Sequence, residues 1–460
     1  MGTTKLSGTI RLGGLLLLIL NQSAIGYAFF GGVGRLARGI VLGRLSSTAS
    51  SPGYQNSRAS GSALHAKSAR FLVVGGTGRV GGSTAAYLAK LADSEGYDSV
   101  TLILGGRRRE SYESSKSRIT SKLESQKIPL PSIEFQRINL DTDSQSSLTS
   151  TISSCSPTCI IHTAGPFQQR TSPLLLKSSI SLNLPYVDVC DEPPLCSTSK
   201  SLTSKSSPAI VGAGIWPGCS ALMATQVIRE LREYENGDSR IPVNGESIDM
   251  SFYTAGTGNA GATIVSATFL LLCQKALTFV NGVGIEKEPW EEKRTVNFGE
   301  KIGDKNVRLL DNPDIFTLRE SLGSSNISSR FGTEPELWNL LFGGMKRFIP
   351  RSFLEDKKFC QGLAIFSLPI IRIVDSLVGS TNAMHISVKS DKNNSATFTV
   401  IHDDLEECVG LATASFAYEI LKGGVKPGVF YPSDLGEKER RGILERVKGE
   451  AVLWDVTTSW

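Results

Sequence analysis

The clearest chemical signal in the chain is a glycine motif that links a predicted strand to a predicted helix. After the apolar run Phe71–Gly75, the residues match the spacing GxGxxG and lead into a helical pattern. Glycine at these positions permits a tight turn, close approach of the backbone to a diphosphate, and close helix–strand packing. The helix N-terminus then binds the phosphates through its N–H groups and dipole. We predict a dinucleotide-binding loop formed by Gly76, Thr77, Gly78, Arg79, Val80 and Gly81.

The residues that follow the second predicted strand indicate which dinucleotide is bound. An NAD-binding domain places an acid here for the ribose 2′-hydroxyl, whereas this chain has Arg107, Arg108 and Arg109. A guanidinium pairs with a 2′-phosphate through two charged hydrogen bonds. The sequence therefore predicts NADP(H), with Arg107 as the first choice for the 2′-phosphate. The alternative is that the three arginines only form a solvated helix start.

Two further segments are predicted to contact the same dinucleotide. Asp141, just beyond the third predicted strand, either contacts the adenine or caps a helix. Ala164, Gly165 and Pro166 follow the fourth strand, where the loop of such a domain passes under the nicotinamide half. Gly165 and Pro166 would make the close approach.

Four side chains are candidates for proton transfer, and each also has a structural interpretation. Asp191 and Glu192 follow the fifth strand, where they would either act on substrate or cap the next helix. His162 ends the fourth strand and is alternatively a buried, hydrogen-bonded imidazole. Tyr253 is alternatively part of a sheet core. The residue types alone do not choose between these roles.

The alternation of β-rich and helical stretches predicts an α/β protein whose N-terminal part, residues 69–222, is a doubly wound Rossmann domain. A second α+β domain, residues 223–403, is predicted to contain a mainly antiparallel sheet. Residues 404–460 are predicted as a C-terminal helix and a tail that returns to the Rossmann domain, with regular structure ending at Pro427 and Pro432. The predicted strands are Phe71–Gly75, Val100–Leu104, Ile133–Ile138, Cys159–His162, Tyr186–Val189, Ala209–Val211, Ile248–Tyr253, Arg294–Phe298, His385–Val388 and Ala396–Ile401.

The apolar stretch Thr263–Phe279 resembles a membrane helix in composition. It contains Ser266, Thr268, Gln274 and Lys275 and is short for a span, which needs about 20 apolar residues. We interpret it as a helix of the core or of a homodimer interface and expect no stable membrane insertion of the mature chain. Association with lipid through this stretch is the alternative.

The N-terminus has the composition of a targeting sequence. Of 49 basic and 44 acidic residues, residues 1–68 hold seven basic and no acidic ones, so the remainder is near −2 and gives no reason to expect a nucleic-acid partner. Residues 1–28 are predicted as a signal peptide and residues 29–68 as a transit-like disordered segment. Together they resemble the bipartite presequences of algae with secondary plastids. We therefore expect a plastid location, with an uncleaved anchor or the secretory pathway as alternatives.

Cysteine and histidine are too few and too scattered to suggest a metal site. The eight cysteines include no CxxC pair, and none of the four histidines stands in ligand spacing with another histidine or a cysteine. The sequence predicts neither a disulfide framework nor a bound metal.

Four motifs together resemble the saccharopine dehydrogenase-like family, which includes saccharopine reductases and carboxynorspermidine dehydrogenases. They are GGTGRVGG at 75–82, AGPF at 164–167, YVDVCDE at 186–192 and GIWPG at 214–218. The chain looks most similar to the uncharacterised, plastid-type oxidoreductase branch. The resemblance implies that NADP(H) exchanges a hydride with a carbon–nitrogen bond of a small, amino-acid-derived substrate. Trp216 departs from the family pattern, because members with known amino-acid substrates often have an acid there.

A function from a different class also fits the same motifs. The chain could be a non-catalytic NADP(H)-binding sensor or scaffold, since a fold alone does not determine activity. The lack of an obvious general acid and the tryptophan at 216 favour this alternative. Turnover of a substrate would distinguish the two.

Overall fold

The computed structural model describes residues 67–256 and 260–460. The predicted signal peptide and all but the last two residues of the predicted transit-like segment lie outside this range. Within it, the strands are β1 Ser68–Val74, β2 Ser99–Gly106, β3 Ser132–Arg137, β4 Cys159–His162, β5 Tyr186–Asp188, β6 Pro208–Ile210, β7 Ser247–Ala255, β8 Ala276–Val280, β9 Val283–Lys287, β10 Arg294–Asn297, β11 Asp304–Leu309, β12 Asn326–Glu334, β13 Thr381–Lys389, β14 Ser395–His402, β15 Gly428–Phe430 and β16 Leu453–Ser459.

The helices of the same ranges alternate with the strands in the first half of the chain and cluster later. They are α1 Arg79–Leu91, α2 Arg109–Ser125, α3 Gln145–Cys155, α4 Leu174–Ser181, α5 Pro193–Lys200, α6 Cys219–Asn236, α7 Ala262–Leu271, α8 Asp314–Leu322, α9 Glu336–Phe348, α10 Arg351–Leu354, α11 Lys357–Val378, α12 Leu405–Leu421 and α13 Glu437–Lys448. A short 3-10 helix spans Pro432–Asp434.

The first sheet of the described residues has seven parallel strands in the order β15-β6-β5-β4-β1-β2-β3. Strands such as β1 and β2 are almost continuously apolar because helices cover both of their faces. Phe71 and Val73 pack with α1, α2 and α12, whereas Leu72 and Val74 pack with α3, α4 and α5. This arrangement confirms the predicted doubly wound Rossmann domain and all six of its predicted strands.

The seventh strand of this sheet was not predicted. β15 lies at the edge of the sheet, where it pairs with β6 in parallel. The prediction that regular structure ends at Pro427 and Pro432 is wrong, because β15 follows Pro427 directly and α13 and β16 follow Pro432. β16 pairs with β14 in the second sheet, so the C-terminal tail contributes one strand to each sheet.

The second sheet is mixed but mainly antiparallel, as predicted. Within the described residues its main path is β10-β11-β12-β7-β13-β14-β16, and the β8–β9 hairpin joins it at β12. Only the β12–β7 pair on this path is parallel. α6 packs on one face of this sheet through β7, β13 and β14. That helix therefore connects the cores of the two sheets.

The apolar stretch Thr263–Phe279 is not one helix, which corrects the prediction. The helix α7 ends at Leu271, and the chain turns before it forms β8 from Ala276. Leu272, Cys273 and Gln274 form this turn, each donating its N–H to a carbonyl three residues earlier. Instead, α11 is the helix in the described residues that is long and apolar enough to span a membrane, by length and composition.

Candidate functional site

The glycine turn between β1 and α1 is too crowded to accept side chains at its ends. Gly75 has a φ of +94°, and a Cβ at Gly81 would lie 2.3 Å from the Gly75 carbonyl oxygen. The Gly81 Cβ would also lie 2.6 Å from Oγ1 of Thr163, which itself bonds to the Val74 carbonyl. Glycine is therefore required here so that α1 can begin directly above the end of β1.

The N-terminus of α1 has the character of a phosphate site. Its N-cap is Gly78, which has no side chain to accept hydrogen bonds from the first turn, and that turn contains no acid. Helix N-termini without such a cap present N–H groups and a positive dipole end to an anion. Ser115 on α2 fixes the turn by donating to the Gly76 carbonyl at 2.8 Å. The loop Gly76–Gly81 thus fits the diphosphate of a dinucleotide.

Arg107 lies beside this turn. Gly106, the last residue of β2, is so close to Thr77 that a Cβ on Gly106 would lie 2.4 Å from the Thr77 side chain. The next residue, Arg107, has an exposed side chain that forms a 3.4 Å ion pair with Asp141. Both partners are more than half exposed, and an ion pair of this kind contributes little stability. The guanidinium is therefore available to a phosphate group.

Asp141 does not cap a helix, which excludes that alternative. The N-cap of α3 is Ser144, whose hydroxyl accepts from the Ser147 N–H. Asp141 instead lies between two guanidinium groups, because its second oxygen is 3.4 Å from Arg170. Arg170 was not recognised in the sequence. It connects the predicted adenine side of the site with the loop after β4.

His162 is buried and takes part in a chain of hydrogen bonds. Tyr186 donates its hydroxyl proton to Asp188 at 3.0 Å, so the tyrosine oxygen accepts from Nδ1 of His162, also at 3.0 Å. Burial, and to a lesser degree Arg170, lowers the pKa of His162 to about 3, so the ring is neutral. Its Nε2 is buried and has no hydrogen-bond partner among the described residues. Within the described residues, therefore, only one of the two ring nitrogens of His162 has a hydrogen-bond partner.

Asp188 is the fixed end of that chain and was not predicted as a site residue. Its Oδ1 accepts from the N–H groups of Cys190 and Gly212, which joins the loops after β5 and β6. Burial raises its pKa to about 6, against the lowering effect of these N–H groups. Asp188 therefore positions Tyr186 and, through it, His162.

Asp191 and Glu192 both lie at the end of β5, and neither caps α5 through its side chain. Glu192 occupies the N-cap position of α5, but its carboxylate accepts from Gln274 instead. Asp191 is partly exposed as a residue, yet its Oδ1 is buried without a partner among the described residues. Burial raises the pKa of Asp191 to about 6, and neighbouring Gln168 partly opposes this. Asp191 can thus hold a proton near neutral pH.

Tyr253 lies apart from the other candidates. It packs with Phe298 on one face of the second sheet and donates its hydroxyl to Glu334. The preceding residue, Phe252, points to the opposite face, where it stacks on Trp216 of the Rossmann domain. The structure therefore brings together His162 and the residues after β5, but it places Tyr253 on the far side of the second sheet.

Trp216 belongs to the packing between the two sheets. Its indole stacks on Phe252 at 4.0 Å between ring centroids and on Phe331 at 5.5 Å. The turn that carries it is held by Asp314, which accepts from the Gly218 N–H and the Ser220 hydroxyl. The tryptophan thus fills space between the two sheets. Asp314 was not recognised in the sequence because it lies 94 residues after Ser220 in the chain.

No metal-binding group is formed by the described residues, in which no three or more histidine, cysteine, aspartate or glutamate side chains are clustered suitably. All eight cysteines are free, and seven of them are buried.

Comparison with known proteins gives structural matches alone. No family model matches the sequence, and no curated protein matches it. The chain is similar in structure to apo saccharopine dehydrogenase (L-Glu forming) from Saccharomyces cerevisiae, with a TM-score of 0.52 and 11% identity over 86% of this chain and 100% of that one. Levoglucosan dehydrogenase in complex with NADH and levoglucosan matches at a TM-score of 0.36 and 8% identity, over 85% and 99% of the two chains.

At this level of identity, the similarity to the yeast enzyme concerns the fold. The expected resemblance is confirmed to this extent: the chain has a saccharopine dehydrogenase-like fold.

Proposed function

We propose that this protein is an NADP(H)-dependent oxidoreductase that exchanges a hydride with a carbon–nitrogen bond of a small, amino-acid-derived substrate. The observation that carries the proposal is the contact between Gly106 and Thr77, which places Arg107 beside the uncapped start of α1. A helix N-terminus binds a diphosphate, and a neighbouring guanidinium can pair with the 2′-phosphate of the same NADP molecule.

The substrate class is supported by the fold and by the chemistry that a bound nicotinamide would supply. The yeast protein with the same fold is named a saccharopine dehydrogenase (L-Glu forming), which indicates an amino-acid-type substrate. When bound, the nicotinamide supplies or accepts the hydride, so the chain needs no nucleophile of its own. Its residues have to bind the cofactor, orient the substrate and move one proton.

Asp191 is the residue that we assign to proton transfer. It follows β5 at the carboxyl edge of the sheet, where open α/β sheets bind ligands. Its raised pKa allows it to be protonated in part of the enzyme near neutral pH, and its buried Oδ1 has no partner among the described residues. His162, whose pKa is about 3, stays neutral and offers an acceptor at Nε2.

Calorimetric titration of the purified chain with NADPH and NADH tests the cofactor. We expect NADPH to bind about ten-fold or more tightly at 0.15 M salt, since each charged hydrogen bond contributes about 1.5–3 kcal/mol. Equal affinity for the two nucleotides would remove NADP(H) from the proposal.

A turnover assay tests the catalytic step separately. Loss of NADPH absorbance is followed with mixtures of amines and oxo acids that form imines, one pair at a time. Oxidation of NADPH by at least one pair is expected. Tight NADPH binding without turnover of any pair would support the non-catalytic sensor instead.

A further inference from the structure

Exposed apolar side chains are concentrated on three consecutive helices, α9, α10 and α11. Of the 17 large apolar side chains that are exposed in the described residues, eight lie between residues 336 and 378. They include some of the most exposed, such as Phe348 at 75% and Leu377 at 80%. We call this set the apolar surface; its members are Leu340, Phe348, Phe353, Ile365, Phe366, Ile373, Leu377 and Val378.

The spacing along α11 shows that its members of the apolar surface lie on one face of the helix. Ile365, Pro369, Ile373 and Leu377 recur every four residues, Phe366 is adjacent to Ile365, and all five are exposed. Side chains at this spacing lie on one side of a helix. The helix therefore presents a single apolar stripe to its surroundings along most of its 22 residues.

The opposite side of α11 is buried in the protein. Cys360, Ala364 and Ile371 pack with Phe269 and Leu270 of α7. Because one side is already packed, α11 cannot cross a bilayer without losing these contacts, but its outer stripe can lie on a bilayer surface.

The charges around the stripe match an anionic surface. Residues 345–358 contain five basic residues and two acidic ones, in a chain whose part after residue 68 is near −2. Among the described residues, Arg347 and Lys358 form no ion pair. Arg347 directly precedes the exposed Phe348. An apolar face with aromatic side chains and neighbouring cations is typical of helices that lie in the membrane interface.

We propose that the apolar surface docks the protein peripherally on an anionic lipid membrane, with α11 in the plane of the interface. The stripe inserts between headgroups and acyl chains while the basic residues contact lipid phosphates. This surface adjoins the loop after β4, because Gln169 of that loop donates to the Glu355 carbonyl, just before α11, at 2.6 Å. The Rossmann domain itself stays in water.

Tryptophan placed in the stripe tests this docking locally. We would make Phe366→Trp in the full chain and add vesicles of phosphatidylglycerol and phosphatidylcholine that carry brominated acyl chains. We expect the added fluorescence of residue 366, relative to wild type, to shift to shorter wavelength and to be quenched. The apolar run Leu12–Leu20 is common to both proteins and does not produce this local signal.

A charged variant gives the second measurement. In the Phe366→Trp background, Ile373→Glu with Leu377→Glu is expected to reduce vesicle-dependent quenching about ten-fold or more, since two apolar side chains lose their burial in lipid. Leu130→Glu is the control, because Leu130 is an exposed apolar residue of the Rossmann domain that lies outside the apolar surface. This control should leave the quenching unchanged.

Two results would overturn the proposal. The first is a tryptophan at 366 that is insensitive to vesicles even at low salt. The second is a dimer in sedimentation equilibrium that Ile373→Glu with Leu377→Glu dissociates, together with no vesicle response, since a second copy of the chain would then cover the apolar surface.

Discussion

Arg79, in the first turn of α1, forms an ion pair with Glu406 of α12, 327 residues away in the chain. The Glu406 carboxylate is almost fully buried and also accepts from the N–H of Gly261, the N-cap of α7. Burial raises the pKa of Glu406, and Arg79 opposes this. One buried carboxylate therefore fixes both the glycine loop and the start of α7.

Removing Arg79 should destabilise the protein because Glu406 would be left buried without its cation. For Arg79→Ala we expect a loss of about 1–3 kcal/mol at pH 7, less than for a fully buried pair because Arg79 is 44% exposed. Arg79→Ala with Glu406→Gln should recover part of the loss, which urea unfolding would measure. Strictly additive effects of the two substitutions would argue against the coupling.

Arg107→Ala should weaken NADPH binding about ten-fold or more and leave NADH binding unchanged, because the 2′-phosphate would lose its guanidinium. Arg109→Ala is the control, since Arg109 is similarly exposed and lies 3.6 Å from Glu113 within α2. Titrations at 0.15 M salt would measure both. An equal loss of NADPH affinity in the two variants would indicate a general charge effect instead of a specific contact.

Gly81→Ala should disrupt the glycine turn. The new Cβ would lie 2.3 Å from the Gly75 carbonyl oxygen, which is backbone and can move only if the turn moves. We expect a lower melting temperature and at least about ten-fold weaker binding of NADPH. Gly344→Ala in α9 is the control, because its Cβ would meet no atom within 4 Å. Unchanged binding in Gly81→Ala would show that the turn is not the diphosphate site.

Much of the Rossmann domain could be predicted because its signals are local. Strands buried on both faces, such as β1 and β4, are short apolar runs, and the glycine motif marks the β1–α1 junction. β15 was missed because it has only three residues and because, in sequence, most of the second sheet separates it from its partner β6. The break between α7 and β8 was missed because apolar residues occur on both sides of it.

The site was predictable only where its residues belong to sequence motifs. Asp191 and His162 stand in such motifs, but Asp314 and Glu406 act on turns that lie 94 and 145 residues away. Arg170 also has no local pattern that would distinguish it from a surface arginine. Contacts between residues so far apart in sequence depend on tertiary packing, which a single sequence does not show.

If Asp191 delivers the proton, the rate of NADPH oxidation should depend on pH in the direction set by its raised pKa. The protonated form predominates below about 6, so the rate should fall about ten-fold per unit well above that pH. Asp191→Asn should remove this dependence and most of the rate while NADPH binding is retained. A variant with the wild-type pH profile would exclude Asp191 as the acid.

Asp314 should make the stability of the folded protein depend on pH. Burial raises its pKa from 3.8 to about 7, so the folded state binds this proton more tightly than the unfolded state does. The resulting stabilisation is complete below pH 3.8 and is lost as the pH rises through about 7. Relative to wild type, Asp314→Asn should therefore become more stable across this range, by up to about 4 kcal/mol.

Urea unfolding of wild type and Asp314→Asn between pH 4 and 8 would measure this difference directly. Other buried carboxyl groups with raised pKa values, such as Asp188 and Asp311, occur in both proteins, so their contributions largely cancel. For Asp93→Asn, at an exposed site, the curve of unfolding free energy against pH should run parallel to that of wild type. If the Asp314→Asn curve is also parallel, then Asp314 is charged throughout, and the hydrogen bonds from Gly218 and Ser220 outweigh its burial.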